Sequence, residues 1–510
     1  MARVLIIGGG VAGLSAGIYA QKHGHHAIVC ERHFISGGNL TGWNRNGYHI
    51  DNCIHWLTGT NPYTETYKMW EKLGALGDGI GIYRGESLYT CDLDGRRLSL
   101  CRDIDKLESD MLSISPDDKK EISSFIKAVK AVQGLSGIAG KEHDERLGVM
   151  GAVAALPLLV KYYRLTLGEL GARFCHPLLR KFFGCFLSES YGAIALVYVA
   201  ACFCGDNADL PEGGSLAMAK RMESRFLALG GELHLRKEAV KINRGRRSAK
   251  SVTFADGTTV EADYIVLTTD PAMTFGKLLD KKMPKSLAMK YSDPRLKRFS
   301  SYQCAIACDL SSLPFSDEFV FEVPGRYKDI LGSKDIIVRG FAHEKSFAPD
   351  GKNILQTLTY CNEKAAKRFI EMRERRRETY ETLKRNIANA AIGALEEKFP
   401  ELRGHLSCVD VWTPATYRRF VASETGAYMS FAISSHVIPN STGNRISGLK
   451  NVMLATQWQH VTGGLPVAAQ NGMDAVAVID KLERKKKHAP SGSAEKNTTI
   501  VVRRKQQQRV

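Results

Sequence analysis

Two patterns of apolar residues alternate along the first 31 residues: short continuous runs and apolar residues at helical spacing. A short β-branched run at residues 4–7 is typical of a buried strand. Residues 12–22 carry apolar and small side chains at helical spacing, and Gly24 follows where a helix commonly ends. A second apolar run begins at His26 and ends at Glu31. The pattern predicts a strand, a helix and a strand, which is the order of a βαβ unit.

Glycines fill the turn between the first strand and the helix. Gly8, Gly10 and Gly13 match G-x-G-x-x-G, in which the three glycines allow a tight turn, a close approach to pyrophosphate and close helix packing. The helix N-terminus, with Ala12 in its first turn, would then hold the phosphates. Glu31 lies about twenty residues further on, as a ribose-binding carboxylate should. Because Glu31 can accept both ribose hydroxyls, a 2′-phosphate is disfavoured, and NAD and FAD remain.

After a long region with helical patterning, the chain again shows apolar patterns of alternating helices and strands, from residue 210 onward. Residues 210–235 predict a helix that Gly230 and Gly231 end, followed by two short strands that meet near Val240. A hairpin turning at Asp256 and Gly257 then leads into a buried strand that ends at Thr269. A last strand, a Gly-Gly turn and a helix fill residues 451–482.

These segments predict the division of the chain. The fold class is α/β, with a Rossmann-type nucleotide domain assembled from residues 1–75, 206–275 and 440–483. Residues 76–205 and 276–439 would form a second, mixed α+β substrate domain. We expect the residues between the first and second nucleotide segments to be mainly helical.

Composition adds a basic surface to this picture. The 510 residues are 44% hydrophobic and 25% charged, as in an ordinary globular protein, but the formal net charge is +17. Part of that charge lies in residues 484–510, a polar stretch without periodicity that we expect to be disordered. Such a tail either improves solubility or binds anionic lipid. No recognition module accompanies the charge, so nucleic acid is not an expected partner.

Cysteine usage and hydropathy bear on location. The twelve cysteines are scattered without a C-x-x-C pair, which is typical of reduced intracellular proteins and predicts no metal site. No signal peptide precedes the first strand, and no apolar run reaches the roughly 20 residues that a bilayer span requires. We expect a cytoplasmic protein, with peripheral membrane attachment as the alternative.

The order of motifs resembles the phytoene desaturase-like branch of the FAD-dependent amine oxidase superfamily. That branch includes carotenoid desaturases, carotenoid isomerases and retinol saturases. The similar segments are "GGGVAGLSAGIYAQKHGHHAIVCER", "ISGGNLTGWNRNGYHIDNCIHW", "SPDDKKEISSFI", "PEGGSLAMAKRM", "TTDPAMTFGKLL", "TPATYRRFVASETGAYMSF" and "TQWQHVTGGLPVAAQNG". The resemblance covers nearly the whole chain except the tail, and it implies FAD as the cofactor.

The resemblance also implies a set of cofactor contacts beyond the first turn: Arg32 beside Glu31, Gly37, Gly38, Asn39, Val240, Gln457, Gly464 and Leu465. Val240 would contact adenine through its backbone while its side chain joins the core. Gln457 would lie at the ribityl chain, and the helix after Gly464 would point its N-terminus at the pyrimidine end of the flavin. The chain departs from the family at Asn39, where Arg is usual, and at Thr456, where Gly is common.

Few side chains are expected to act as catalysts, because the flavin carries the redox chemistry. His55 and His460 are the candidates for proton transfer, since histidine titrates near neutral pH. For each, a structural, hydrogen-bonded histidine is the alternative. We expect Asp51 to fix a turn.

Two apolar stretches fit an apolar substrate. Residues 147–163 and 192–204 predict core helices, or else tunnel walls and a membrane-dipping helix with Lys161 and Arg164 at the headgroups. The resemblance implies an oxidoreductase acting on carbon–carbon bonds of a polyene, isoprenoid or lipid by hydride transfer with the flavin. Desaturation, saturation and isomerisation stay open, and the electron donor or acceptor is unassigned.

Two other functions compete with this one. The first is a flavin amine oxidase on the same fold. The second is a non-catalytic lipid-binding chaperone similar to the Rab GDP-dissociation inhibitors, against which the intact glycine turn and Glu31 argue.

Overall fold

The computed structural model describes residues 1–135, 149–432, 437 and 440–487. Its strands are β1 (Arg3–Ile7), β2 (His26–Cys30), β3 (Gly42–Arg45), β4 (Tyr48–Asp51), β5 (Leu57–Thr58), β6 (Ile82–Tyr83), β7 (Ser87–Leu93), β8 (Arg96–Cys101), β9 (Ala208–Pro211), β10 (Glu232–His234), β11 (Ala239–Arg244), β12 (Ala249–Phe254), β13 (Thr259–Glu261), β14 (Tyr264–Leu267), β15 (Ser300–Cys308), β16 (Glu318–Glu322), β17 (Asp335–Gly340), β18 (Asn353–Cys361), β19 (Leu406–Trp412) and β20 (Val452–Leu454). Its helices are α1 (Val11–Lys22), α2 (Glu65–Lys72), α3 (Ile104–Ile114), α4 (Lys119–Gln133), α5 (Val149–Tyr163), α6 (Leu167–Gly171), α7 (Pro177–Gly184), α8 (Ala193–Phe203), α9 (Gly214–Ala228), α10 (Pro271–Met273), α11 (Lys285–Ser292), α12 (Gly325–Leu331), α13 (Glu363–Arg375), α14 (Arg377–Lys398), α15 (Pro414–Val421) and α16 (Leu465–Lys487).

A five-stranded parallel sheet joins distant parts of the chain. Its strand order is β10-β2-β1-β14-β20. Both faces are buried, which explains the continuous apolar run of β1. Val4 and Ile6 face the helices α1, α9 and α16, whereas Leu5 and Ile7 face the small sheet β11-β12-β13.

Glycines set how closely the helices on this sheet pack. A Cβ atom at Gly472 of α16 would lie 2.3 Å from the carbonyl oxygen of Ala12 in α1. A Cβ atom at Gly17 of α1 would lie 2.7 Å from the ring of Phe226 in α9. Helices α16 and α9 therefore each pack closely on α1 at a glycine, and they hold α1 firmly over the sheet.

A seven-stranded sheet, in the order β19-β15-β18-β17-β16-β7-β8, builds the other half of the molecule. Strands β7 and β8 belong to residues 76–205, for which we predicted mainly helix, so that prediction is wrong for residues 82–101. The signal was present in the sequence. Asp94 and Gly95 both have positive φ, 53° and 81°, and form the Asp-Gly hairpin turn between two alternating strands.

Helices α3, α4, α7 and α8 cover one face of this sheet. Their core is rich in phenylalanine, with Phe125, Phe182 and Phe183 fully buried. Helix α8 is apolar along its whole length, because it packs on α4 on one side and meets a cavity on the other. Helix α5, by contrast, carries exposed apolar side chains, including Met150, Val153 and Leu156.

The basic tail begins later than expected. Helix α16 continues to Lys487, so residues 484–487 are helical and the prediction of disorder from 484 is wrong for them. The prediction for residues 488–510 lies outside the described residues. Within the described part of the chain, no helix combines the length and the apolar character needed to cross a bilayer.

Candidate functional site

A cavity of about 690 Å³ opens at the carboxyl ends of the parallel strands. Residues at the ends of four of these strands line it: Gly8, Glu31 and Thr268 immediately follow β1, β2 and β14, and Thr456 lies two residues after β20. In open parallel sheets ligands bind at this edge. The cavity then continues away from the sheet to α8 and β18.

The first turn is shaped by three glycines with different roles. Gly8 has a φ of +108°, and a Cβ atom there would lie 2.5 Å from Oγ1 of Thr268. A Cβ atom at Gly13 would lie 1.9 Å from the carbonyl oxygen of Gly8, so Gly13 serves helix packing and does not line the cavity. Gly10 does line the cavity. A Cβ atom added there would lie 3.8 Å from the nearest heavy atom.

The N-terminus of α1 faces the cavity. Gly10 is its N-cap and offers no side chain, so the first-turn amides have no capping partner of that kind. Val11 and Ala12 of this turn line the cavity. Unpaired amides and the helix dipole make this turn a site for a negatively charged group.

Glu31 is held rigidly beside the turn. Its side chain is buried, with Oε2 accepting a hydrogen bond from the Gly9 amide at 2.7 Å and Oε1 accepting one from the His33 amide at 2.8 Å. Arg32 also lines the cavity, and its guanidinium donates a hydrogen bond to the carbonyl of Arg419. The carboxylate is thus fixed in place before any ligand binds.

Backbone from a second glycine pair runs along the same wall. Gly37 and Gly38 have φ values of +113° and +64°, and both line the cavity. The Gly37 amide donates to the carbonyl of Gly9 at 2.8 Å, and this bond ties the pair to the first turn.

Asn39 and Gln457 converge on one carbonyl group. Nδ2 of Asn39 and Nε2 of Gln457 donate to the carbonyl of Tyr428 at 3.3 Å and 2.9 Å. Oε1 of Gln457 also accepts from the Gly464 amide at 3.0 Å, immediately before α16 begins at Leu465. Gly464 has a φ of +113°, which favours glycine. All of these residues line the cavity, so the structure brings the closing motif to the first one.

Val240 is placed differently from our prediction. Its side chain is 44% exposed and does not line the cavity, so the expectation that it joins the core is wrong. Ala239, the preceding residue, is buried and lines the cavity together with Lys237 and Glu238. The reason is a shift in the pairing of β11 with β12 between Ala239 and Lys241, a β-bulge at which Val240 turns outward while Ala239 stays buried.

The two candidate histidines lie in different surroundings. His55 lines the cavity, and its Nδ1 lies 2.8 Å from Oε2 of Glu318. His460 does not line it, and its Nε2 lies 3.0 Å from Oδ1 of Asn471. Asp51 accepts hydrogen bonds from the Cys53 amide and the Ser215 hydroxyl, as a turn-fixing residue does.

The half of the cavity far from the parallel sheet is apolar. Helix α8 contributes Ile194, Ala195, Tyr198 and Val199, as expected of a tunnel wall. Helix α5 contributes no lining residue with a described side chain, so its predicted alternative as a tunnel wall is wrong. Burial raises the pKa of the Tyr198 hydroxyl, which therefore stays neutral.

Sequence reasoning missed several lining residues, among them Asp270. This residue is buried and caps α10, with Oδ1 accepting from the Ala272 amide at 2.8 Å. Burial raises its pKa from 3.8 to about 6. The Asp-Pro pair after a buried strand was the available signal, because Pro is common in the first turn of a helix and Asp at its cap.

The cavity has the features of a site for a long polar and aromatic ligand. Ser423 lines it with a hydroxyl that is buried and has no hydrogen-bond partner among the described residues. A buried hydroxyl without a partner is costly, so a ligand that pairs with it is favoured. The glycine walls, the free helix N-terminus and the fixed Glu31 carboxylate all suit a dinucleotide.

A family model described as "Flavin containing amine oxidoreductase" matches residues 11–293. The chain belongs to this family. FAD is therefore its cofactor, and the chain is an FAD-dependent oxidoreductase of the branch in which the carotenoid desaturases and isomerases lie.

Curated relatives cover most of the chain at low identity. A chloroplastic prolycopene isomerase of Daucus carota is 23% identical over 443 residues, covering 83% of this chain and 71% of the relative. A 4,4′-diapophytoene desaturase (4,4′-diapolycopene-forming) of Methylomonas sp is 20% identical over 507 residues, covering 94% of this chain and 96% of the relative.

Solved structures share the fold. An oxidoreductase from Methanosarcina mazei superposes with a TM-score of 0.57 at 15% identity, covering 94% of this chain and all of its own. Cyclohexylamine oxidase from Brevibacterium oxydans IH-35A gives a TM-score of 0.56 at 13% identity, covering 95% and 100% of the two chains. The chain thus has the amine oxidase fold of mixed helices and sheets.

Proposed function

We propose that this flavoenzyme acts on carbon–carbon bonds of a polyene or isoprenoid substrate. One observation carries the proposal: a single cavity joins a glycine-rich, polar half at the parallel sheet to an apolar half at α8. The names of the relatives, a prolycopene isomerase and a diapophytoene desaturase, support it. Desaturation, saturation and isomerisation all remain within the proposal.

The parallel sheet serves as a Rossmann-type FAD domain in this proposal, assembled from residues 1–75, 206–275 and 440–483. The turn from Gly8 and the N-terminus of α1 bind the pyrophosphate, because free amides face the cavity there. Glu31 binds the ribose hydroxyls through its fixed oxygens. Ala239 and its backbone take the place next to adenine that we had given to Val240. When bound, FAD supplies the two-electron redox chemistry.

The N-terminus of α16 faces the reacting end of the cofactor in the same proposal. Gly464 and Leu465 line the cavity, and Gln457 holds the Gly464 amide. The helix dipole there stabilises negative charge that develops on reduction. A Gly464→Val variant places a branched side chain at a left-handed position on the cavity wall, and we expect lower FAD content or a lower flavin potential. Wild-type values for FAD content, potential and turnover would refute this placement.

An apolar substrate suits the far half of the cavity better than an amine. The acidic residues of the cavity lining are Glu31, Glu238 and Asp270, and all three lie at the parallel sheet or at β11. An ammonium group in the apolar half would be desolvated without a carboxylate partner, which is unfavourable. This distribution favours a polyene over the substrates of an amine oxidase.

The absorbance spectrum of the purified protein is the first test. The proposal expects a bound flavin, followed by bleaching or recolouring when anaerobic protein is mixed with candidate carotenoids or other isoprenoids. Colourless protein that takes up no added FAD would favour the lipid-binding chaperone. Reduction of the flavin by amines, with no response to isoprenoids, would favour the amine oxidase.

We also propose that α5 attaches the protein to membranes, where such substrates dissolve. Met150, Val153 and Leu156 are 87%, 64% and 57% exposed, and helix α5 packs on α8, which lines the cavity. Lys161 is paired with Glu121 at 2.9 Å, which leaves Arg164 as the exposed cation at the end of the helix. Apolar side chains on an exposed helix bind the lipid interface, and basic groups favour anionic headgroups.

Vesicle binding tests this attachment. Leu156→Asp should reduce binding to anionic vesicles, whereas Leu227→Asp, at a 46% exposed leucine on α9, should not. Removal of residues 488–510 and added salt should weaken binding as well. Binding that is equal for all variants and independent of salt and lipid charge would contradict the proposal.

A further inference from the structure

A second cavity, of about 40 Å³, lies behind the apolar half of the main one. Its lining mixes apolar side chains with polar and charged ones, among them Tyr83, Ser87, Arg102, Asp317 and Glu318. A space of this size with several polar groups in its wall can hold water. His55 is the residue that lines both cavities in the described part of the chain.

Glu318 reaches His55 from the second cavity. It begins strand β16, lines the small cavity and does not line the large one. Its Oε2 lies 2.8 Å from Nδ1 of His55, and the two side chains are 17% and 19% exposed. An ionised carboxylate can only accept, so the imidazole Nδ1 must carry the hydrogen. Nε2 of His55 has no hydrogen-bond partner among the described residues.

We propose that Glu318 is a positioning residue that fixes the tautomer of His55, so that Nε2 exchanges a proton with the bound substrate. This inference rests on the proposed function, since it assigns the proton partner of that reaction. When a substrate C–H bond breaks in a desaturation, its proton forms an N–H bond at Nε2, and its electron pair becomes the second bond of a new C=C as the neighbouring carbon gives up hydride to the oxidised flavin. The imidazolium formed is stabilised by the Glu318 carboxylate, and it returns its proton to solvent water.

Two charged groups nearby, Arg339 and Asp317, have hydrogen-bond partners other than His55. Arg339 is buried, donates to the carbonyl of Ile54 at 2.6 Å and lies 3.5 Å from Oδ1 of Asp51. Asp317 accepts from the Ser87 amide and the Tyr83 hydroxyl.

The other histidine of the small cavity stays neutral. Burial lowers the pKa of His343 to about 4. His55 is thus the imidazole in this neighbourhood that is paired with a carboxylate and also reaches the substrate side of the wall.

Three variants and one matched control test the inference. The variants are Glu318→Gln, His55→Gln and the double variant. The control is Asp309→Asn, which removes the carboxylate from a second His–carboxylate pair, His405 and Asp309 at 2.6 Å, that does not line either cavity. All four are purified with FAD, and flavin content is measured first.

Nitrogen-15 NMR of histidine-labelled protein reads the tautomer without any substrate. The signals of His55 are identified as those missing from His55→Gln. We expect Nδ1 to carry the hydrogen in the wild type. In Glu318→Gln the amide can donate or accept, so a mixture of tautomers is expected, while Asp309→Asn leaves the His55 signals unchanged. An unprotonated Nδ1 in the wild type, or no change in Glu318→Gln, would overturn the inference.

Turnover with an accepted isoprenoid gives the second readout. Loss of a general acid–base group slows a reaction by about 100-fold or more, so His55→Gln should show such a loss at unchanged flavin content. Glu318→Gln should lose at least about tenfold, and the double variant should be no slower than His55→Gln, because the pair acts as a unit. If the losses of turnover in the two single variants were additive in the double variant, or if Glu318→Gln kept wild-type turnover, the positioning role would be refuted and the proposed function would not. Lack of FAD or of any isoprenoid turnover in the wild type would instead refute the proposed function.

Discussion

The two halves of the main cavity are built in different ways. At the parallel sheet the walls are mostly backbone, with glycines in the left-handed region at Gly8, Gly37 and Gly464. At α8 the walls are side chains such as Ile194 and Tyr198. Where the backbone wall is closely packed, as at Gly8 and Gly37, it tolerates no added side chain, whereas a side-chain wall can change shape and keep its fold. The first half is thus specialised for one ligand and the second is adaptable.

Charge follows the same division. Glu31, Arg32 and Lys237 line the sheet half, where a dinucleotide offers hydroxyls and phosphates. In the apolar half the tyrosine hydroxyls at 191 and 198 are kept neutral by burial, which raises their pKa values. His55 remains there as the group suited to proton exchange.

The largest effect is expected from Gly13→Ala, and its comparison with Gly10→Ala distinguishes a glycine needed for packing from one that contacts the ligand. Gly13→Ala puts a Cβ atom 1.9 Å from the Gly8 carbonyl oxygen, so the turn cannot form and FAD content should fall to zero. Gly10→Ala meets nothing closer than 3.8 Å, so the protein should fold with unchanged secondary structure and bind FAD more weakly. Circular dichroism and flavin absorbance measure both. Equal FAD content in the two variants would remove the distinction between the two glycines.

Glu31→Gln tests the fixed carboxylate. The carboxylate accepts hydrogen bonds from two backbone N–H groups, one at each oxygen. The glutamine side chain has one oxygen and one NH2 group, so one of these backbone N–H groups would face another donor. A hydrogen bond to a charged group contributes about 1.5–3 kcal/mol, so FAD affinity should fall by about 10-fold to 100-fold. Titration of the apoprotein with FAD gives the value, and unchanged affinity would show that Glu31 does not touch the cofactor.

Ala195→Phe tests the apolar half in turn. Overfilling a packed apolar wall typically costs about 1–3 kcal/mol, so kcat/KM for a long isoprenoid should fall by about tenfold or more. FAD content should stay at the wild-type level, because Ala195 lies on α8, away from the strand ends. If flavin were lost together with turnover, the two halves would not be separable.

Asp270→Asn should have the smallest effect, on stability. The pKa of Asp270 is raised from 3.8 to about 6, so folding favours the neutral acid. The wild type therefore loses stability as pH rises from about 4 through 6, and the variant does not. Asn also caps helices, but it accepts weaker hydrogen bonds, so we expect a net gain of about 1 kcal/mol at pH 8 and none at pH 4. Urea unfolding at both pH values tests this, and a pH-independent difference would contradict it.

The sheet half of the site could be predicted from sequence because its signals are local. A buried strand, a glycine turn and Glu31 are contiguous, and the structure places each as expected. The side chain of Val240 is exposed where we expected it in the core, because a local shift in strand pairing decides which of two neighbouring side chains is buried.

The apolar half depends on tertiary packing, and its details could not be read from local patterns. The apolar stretches that became α5 and α8 look alike in sequence, yet of their described side chains only those of α8 line the cavity. Glu318 lies 263 residues from His55, and no local pattern links them. Strands β7 and β8 were the exception, since their Asp-Gly turn was visible and was not used.

The parallel sheet also dictates when the cofactor can first be captured during synthesis. Strand β1 pairs with β14, which is followed by Thr268, 260 residues beyond Gly8, and β20 with the start of α16 comes later still. The free edge of β1 therefore waits until β14, about half-way along the chain, has been translated, and the edge of β14 then waits for β20. Waiting edges of this kind bind chaperones or aggregate, and contacts between distant residues slow folding. Supply of FAD at the end of translation thus becomes a step in biogenesis as well as in catalysis.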